Sequence, residues 1–157
     1  MSERSFGYFL GQAIVVVLGW VVVHWLSAKR DLSKARLEAI SSACNGLIAD
    51  ASRLLTAARE YHIGLRSDTA EIGLKMALQD MSTMTLSLRD ICDDRATLAQ
   101  CRGDIATARR VITGSHFEDE HDAPLQATAP QLEEIAMAVL RVKQSLLKVK
   151  HSQLQDR

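Results

Sequence analysis

The sequence predicts an all-α protein in which an N-terminal transmembrane helix continues into an antiparallel helical bundle. Three observations indicate this fold class. Residues 6–26 form an apolar run without an acidic residue, a lysine or an arginine. Further along the chain, apolar residues recur at alternating steps of three and four, which is the spacing of one helical face. The two-residue alternation that marks half-buried strands appears nowhere in the sequence.

The apolar run at residues 6–26 has the length of a membrane span. A helix of this length rises about 31 Å, which matches a hydrocarbon core of about 30 Å. A cleaved signal peptide is the alternative. Its apolar stretch would be shorter, and the cleavage-like Leu26-Ser27-Ala28 lacks a small residue at its first position. We therefore expect an uncleaved anchor.

The charges on the two sides of this run predict its orientation. Four cationic residues follow the run within ten positions, whereas residues 1–5 carry one arginine offset by one glutamate. The more positively charged flank of a membrane span stays on the cytoplasmic side. Residues 1–5 are therefore expected outside the cell membrane and residues 27–157 in the cytoplasm. The three cysteines form no closely spaced pair, which fits a reducing compartment (Cys44, Cys92 and Cys101).

A face of small residues within the run predicts self-association. Gly11, Gln12 and Gly19 fall on one side of the helix. Small residues let two helices approach closely, and an amide inside a bilayer hydrogen-bonds across such a contact. The alternative is that glycine is common in membrane helices and that Gln12 finds water. We expect a homo-oligomer.

Residues 31–62 carry a heptad seam that extends from Leu37 to Tyr61. Since nothing before this seam breaks the helix, one long helix is expected to reach about residue 62. After a turn, Asp68 is expected to cap the next helix, with Glu71 three residues later at capping-box spacing.

A second periodic stretch extends to Ile112, and its register shifts near residues 93–95. Two helices are therefore expected there. Pro130 begins the last helix, because proline is favoured in a first turn. These helices complete the predicted antiparallel bundle with a core of Leu, Ala, Met and Ile.

Composition argues against nucleic acid as a partner. Lys+Arg and Asp+Glu are both 19, so the chain lacks the strongly basic balance that captures phosphate backbones. Five of the seven aromatic residues precede residue 27. Too few remain in the rest of the chain for a platform that stacks bases.

The connection at residues 114–129 is long for a compact bundle. His116 and His121 stand there among carboxylates, and imidazole with carboxylate suits several divalent ions. The alternative is a solvated acidic tip. Because no regular element presets the geometry, we expect neither a metal nor another cofactor.

Arg110 precedes His116 by six residues, which resembles the arginine-then-histidine pair of the HEPN ribonuclease superfamily. The resemblance implies that the histidine acts as acid or base and that the arginine holds phosphate. Val111 departs from the pattern, since a polar residue usually follows that arginine. The alternative is that Arg110 is a helix C-terminal cation and His116 a loop residue. We expect no enzymatic activity.

The order of features resembles a group of small bacterial single-pass membrane proteins. The resemblance is carried by SAKRDLSKARLE at residues 27–38 and by LIADASRLL at residues 47–55. The layout is similar to the pore-forming membrane accessory of type VI-B CRISPR loci and to other anti-phage effectors. It implies an oligomer at the bacterial inner membrane that takes part in antiviral defence.

Two functions that follow from this interpretation are close rivals. The first is a membrane-anchored scaffold that self-associates and holds an unknown cytoplasmic protein at the bilayer. The second is an anti-phage effector that forms a pore or depolarises the membrane. A HEPN-like ribonuclease is the third alternative.

Overall fold

The structure is a computed structural model that describes residues 3–64, 67–114, 117 and 124–155, with side chains described from residue 16 to residue 153 within those ranges. The described residues contain helices and connections and no strand. The all-α prediction is therefore confirmed. The chain divides into two compact units, residues 1–38 and residues 39–157.

The transmembrane prediction for residues 6–26 is corrected by the structure. Among the residues whose side chains are described, no helix is both long and apolar enough to cross a membrane. This finding contradicts the predictions of a single-pass span and of inner-membrane localisation.

Four helices follow one another along the chain. Helix α1 covers Glu3–Ile63, as the unbroken seam predicted, and α2 covers Asp68–Ser87. A short 3-10 turn covers Leu88–Asp90. Helix α3 covers Arg95–Ile112, and α4 covers Pro130–Gln155, beginning at the predicted proline.

In the second unit these helices pack with alternating directions. His62 and Ile112 are hydrogen-bonded, which brings the ends of α1 and α3 together. Lys150 near the end of α4 donates to Asn45 near the start of the α1 segment of this unit. The bundle is therefore antiparallel up-and-down. Grooves separate α1 from α2, α2 from α3 and α3 from α4, so α2 and α4 occupy opposite corners.

The core consists of the apolar seams that the sequence predicted. In α1 the seam is buried from Ile40 to Tyr61. The other helices contribute seams with the same alternating spacing, and these meet at the centre (Leu74, Leu78, Met81 and Leu88; Leu98, Cys101, Ile105, Ala108 and Ile112; Leu132, Ile135, Val139, Val142, Leu146 and Val149). Burial of apolar area on this scale is the main stabilising contribution.

The start of α2 differs from the sequence prediction by one residue. Ser67, not Asp68, caps α2, because its extended backbone lets its hydroxyl accept from the Ala70 N–H at 3.2 Å. Glu71 is therefore outside a capping box and instead pairs with Lys75 at 2.7 Å. The predicted break near residues 93–95 is confirmed, since Asp94 caps α3 by accepting from the Thr97 N–H at 2.9 Å.

Candidate interaction surface

The residues predicted for self-association lie in the first unit. Gly19 is in α1, and a Cβ added to it would meet nothing within 4 Å. Gly11 and Gln12 belong to the helical backbone, but their side chains are outside the described residues. Around Gly19, apolar side chains from Val16 to Leu26 are exposed on every side of the helix. A helix this apolar all round is normally covered by other apolar groups.

Of the three residues weighed as candidates for catalysis or metal binding, the structure describes only Arg110. Arg110 is exposed in the last turn of α3, where a cation complements the helix dipole. His116 and His121 lie outside the described residues. Within the described ranges, no group of three or more His, Cys, Asp or Glu is arranged to hold a metal ion.

Helix α2 carries apolar residues on its outward face as well as on its core face. Ile72 and Met76 are 56% and 61% exposed, and Leu86 is also exposed. Together with the exposed Gln79 and Thr83 they follow steps of four, three, four and three. We name these five residues the α2 stripe. Its spacing is that of a coiled-coil seam, although none of the described residues of the bundle covers it.

Helix α4 carries a second stripe of the same kind. Met137, Leu140 and Leu147 are exposed, with Gln144 between the two leucines. Their steps are three, four and three, and they lie opposite the buried seam of the same helix. We name these four residues the α4 stripe. Both helices thus have one seam in the core and one at the surface.

The two helices that carry the stripes have net charges of opposite sign. Helix α2 contains three acidic residues and one lysine, and helix α4 contains four cationic residues and two glutamates. Asp80 lies beside the α2 stripe and Arg141 beside the α4 stripe, both exposed. Neither forms an ion pair with any other described residue.

The three cysteines are buried in the second unit and form no disulfide. Burial raises the pKa of the Cys44 thiol to about 11, and the nearby thiols of Cys101 and Cys92 add to the rise. Burial likewise raises the pKa of Cys101, against the effect of a hydrogen bond with Ser145. Thiols held protonated in this way are poor nucleophiles and poor metal ligands. This cluster therefore belongs to the core and not to a reactive site.

The two surface stripes were missed at the level of sequence. The signal that could have found them is a second alternating series in the same helices, which begins at Ile72 in α2 and at Met137 in α4. The buried series are longer and more apolar, and they account for the fold by themselves.

Comparison of the chain with known protein families, with curated proteins and with solved structures finds no match.

Proposed function

We propose that this chain is a non-enzymatic helical scaffold protein that acts by binding other protein helices, beginning with further copies of itself. The observation that carries the proposal is the pair of surface stripes on α2 and α4. Their apolar residues are exposed on a bundle whose core is already filled by separate seams. Heptad spacing is the pattern by which one helix packs along another.

The character of the stripe residues supports a binding role. Exposed apolar residues scattered singly are ordinary on protein surfaces, but aligned ones mark interaction sites. Met76 and Met137 have unbranched, flexible side chains that adapt to a partner's surface. Each stripe also contains one glutamine, a polar group that can select among alternative partner registers.

The exposed apolar segment around Gly19 supports self-association through the first unit as well. Since an added Cβ at Gly19 meets nothing, the backbone there is open to close approach by another helix. This contact and the stripes are separate surfaces, so substitutions can distinguish their contributions.

Sedimentation velocity of the full chain over a wide concentration range tests the proposal. Mild detergent should be present to shield the apolar side chains of residues 16–26. We expect wild-type chain to self-associate, and we expect Met76→Glu and Leu140→Glu each to weaken the association about tenfold or more, since each variant must bury a charge at the interface between copies. Ala106→Glu on the exposed face of α3 is the matched control and should associate as wild type does.

A second arm of the experiment addresses the first unit. Gly19→Leu should weaken association by preventing close helix approach, whereas Ala35→Leu, also exposed in the first unit, should not. A chain that stays monomeric at every concentration would overturn the proposed function.

A further inference from the structure

We infer that the α2 stripe of one copy packs antiparallel against the α4 stripe of a second copy, with Gln79 opposite Gln144 and Asp80 opposite Arg141. The inference rests on the proposed function and specifies its partner, its surface and its register. It starts from three observations: the stripe spacing, the position of the two glutamines, and the charges beside the stripes.

Charge decides which stripes pair. Two α4 helices would bring together two helices that each have a net positive charge, with Arg141 next to Arg141 of the other copy near the centre. Two α2 helices would bring together two helices that each have a net negative charge. Pairing α2 with α4 is the combination that places opposite charges together, and such complementarity selects partners and fixes register.

The glutamines decide the direction. In α2, Gln79 follows Met76 by three residues, whereas in α4, Gln144 follows Leu140 by four. The two glutamines therefore occupy the two different seam positions of a heptad. In a parallel pair, each seam position faces the same seam position of the other helix. Each glutamine would then face a residue other than glutamine. Antiparallel helices pair unlike positions and allow the two amides to hydrogen-bond to each other.

This register also matches the apolar residues on both sides of the glutamine pair. In an antiparallel pair, residue numbers rise along one helix as they fall along the other. With Gln79 opposite Gln144, three further pairs of stripe residues therefore face each other (Met76 with Leu147, Thr83 with Leu140, Leu86 with Met137). The contact then extends over roughly 15 Å of helix on the rise per residue of an α-helix. In the same register Asp80 lies beside Arg141, and both lack an ion-pair partner among the described residues of their own chain.

The contact is heterologous, because it joins two different surfaces. Since α2 and α4 stand at opposite corners of the bundle, one copy can contact two neighbours at once. Such contacts do not close at two copies and instead generate rings or open assemblies. Association should therefore continue beyond a dimer as the concentration rises.

Charge reversal with cross-complementation tests the inference in the full chain. Asp80→Arg and Arg141→Asp should each weaken association about tenfold, because each places like charges at the contact. A mixture of the two single variants should associate as strongly as wild type, since every α2–α4 contact between unlike variants again has opposite charges. The double variant should be restored for the same reason. Arg102→Asp on α3 is the control, and circular dichroism should show unchanged folding in all variants.

Three outcomes would overturn the inference. Association of Arg141→Asp that is as strong as that of wild type, or stronger, would show that Arg141 does not face Asp80 of the other copy. Failure of the mixture to recover would show that Asp80 and Arg141 do not meet. Association that is unchanged by every charge reversal would show that the contact lies elsewhere on the molecule. In each of these cases wild-type chain still self-associates, so the proposed function stands; a monomeric wild type overturns both.

Discussion

The imidazole of His62 lies 3.1 Å from the carbonyl oxygen of Ile112, measured from Nε2, and so joins the end of α1 to the end of α3. The carbonyl can only accept, so Nε2 carries the proton in this contact. Ile112 is the last residue of α3, where carbonyls have no partner within the helix. His62 thus supplies from α1 a side-chain cap for α3. Its own carbonyl accepts from the Leu125 N–H at 2.8 Å, which attaches the segment before α4.

Replacing His62 should destabilise the bundle more than replacing most other polar residues would. His62→Ala leaves a carbonyl without its donor and a vacant volume in a buried site, and we expect a decrease of about 2 kcal/mol in the free energy of unfolding. His62→Gln, whose terminal amide can reach a similar position, should be less destabilised. Urea denaturation followed by circular dichroism measures both. Equal decreases in the two variants would argue against the capping role.

Two glycine substitutions should have opposite effects on stability. Gly103 is exposed in the middle of α3, and a Cβ there meets nothing within 4 Å, so Gly103→Ala should stabilise by about 1 kcal/mol through helix propensity. At Gly64, which follows α1, a Cβ would lie 2.6 Å from the Glu60 carbonyl oxygen. Gly64→Ala should therefore destabilise. Thermal unfolding of both variants checks the sign, and a stabilised Gly64→Ala would contradict the geometry of this turn.

The raised pKa of Cys44 predicts a decrease in stability at high pH. The thiol titrates near 9.0 when exposed and near 11 in the folded chain, so the unfolded state releases its proton first as the pH rises. The contribution is complete below pH 9 and disappears as the pH approaches 11, amounting to about 2 kcal/mol.

Urea midpoints of wild type and Cys44→Ala at about pH 8 and about pH 10.5 measure this effect. The variant is less stable at both pH values because of its cavity, but its stability should decrease less between them. Lysine and tyrosine titrations contribute equally to the two proteins and cancel in the comparison. If the stability of the two proteins decreased equally between the two pH values, Cys44 would not be the cause of the decrease.

The helices were predictable because each depends on local pattern. The α1 seam has the same spacing throughout, and the register shift near residues 93–95 separates α2 from α3 without any tertiary information. The cap of α2 was displaced by one residue because Ser67 and Asp68 are both good caps. The backbone of Ser67, with φ −137° and ψ 145°, decides between them.

The surface stripes could not be recognised in the same way. The longer apolar series of α2 and α4 was assigned to the core from its pattern, but periodicity does not state whether the second, shorter series is covered by another helix or left exposed. The burial of His62 could not be predicted from the sequence either, since its partner carbonyl lies 50 residues further along the chain. The predicted span at residues 6–26 rested on an apolar run, and among the described side chains no helix has the length and apolarity to cross a membrane.

The amino-acid sequence by itself determined the all-α class, the number and order of the helices and most of the residues that fill the core, because apolar periodicity and capping act over a few neighbouring residues. The tertiary structure alone decided that α2 and α4 occupy opposite corners, that each leaves an apolar stripe exposed, and that Asp80 and Arg141 stand beside those stripes without a partner among the described residues. The physical reason is that a helix with two apolar faces can bury only one of them in a single four-helix bundle, and packing against the other helices selects which.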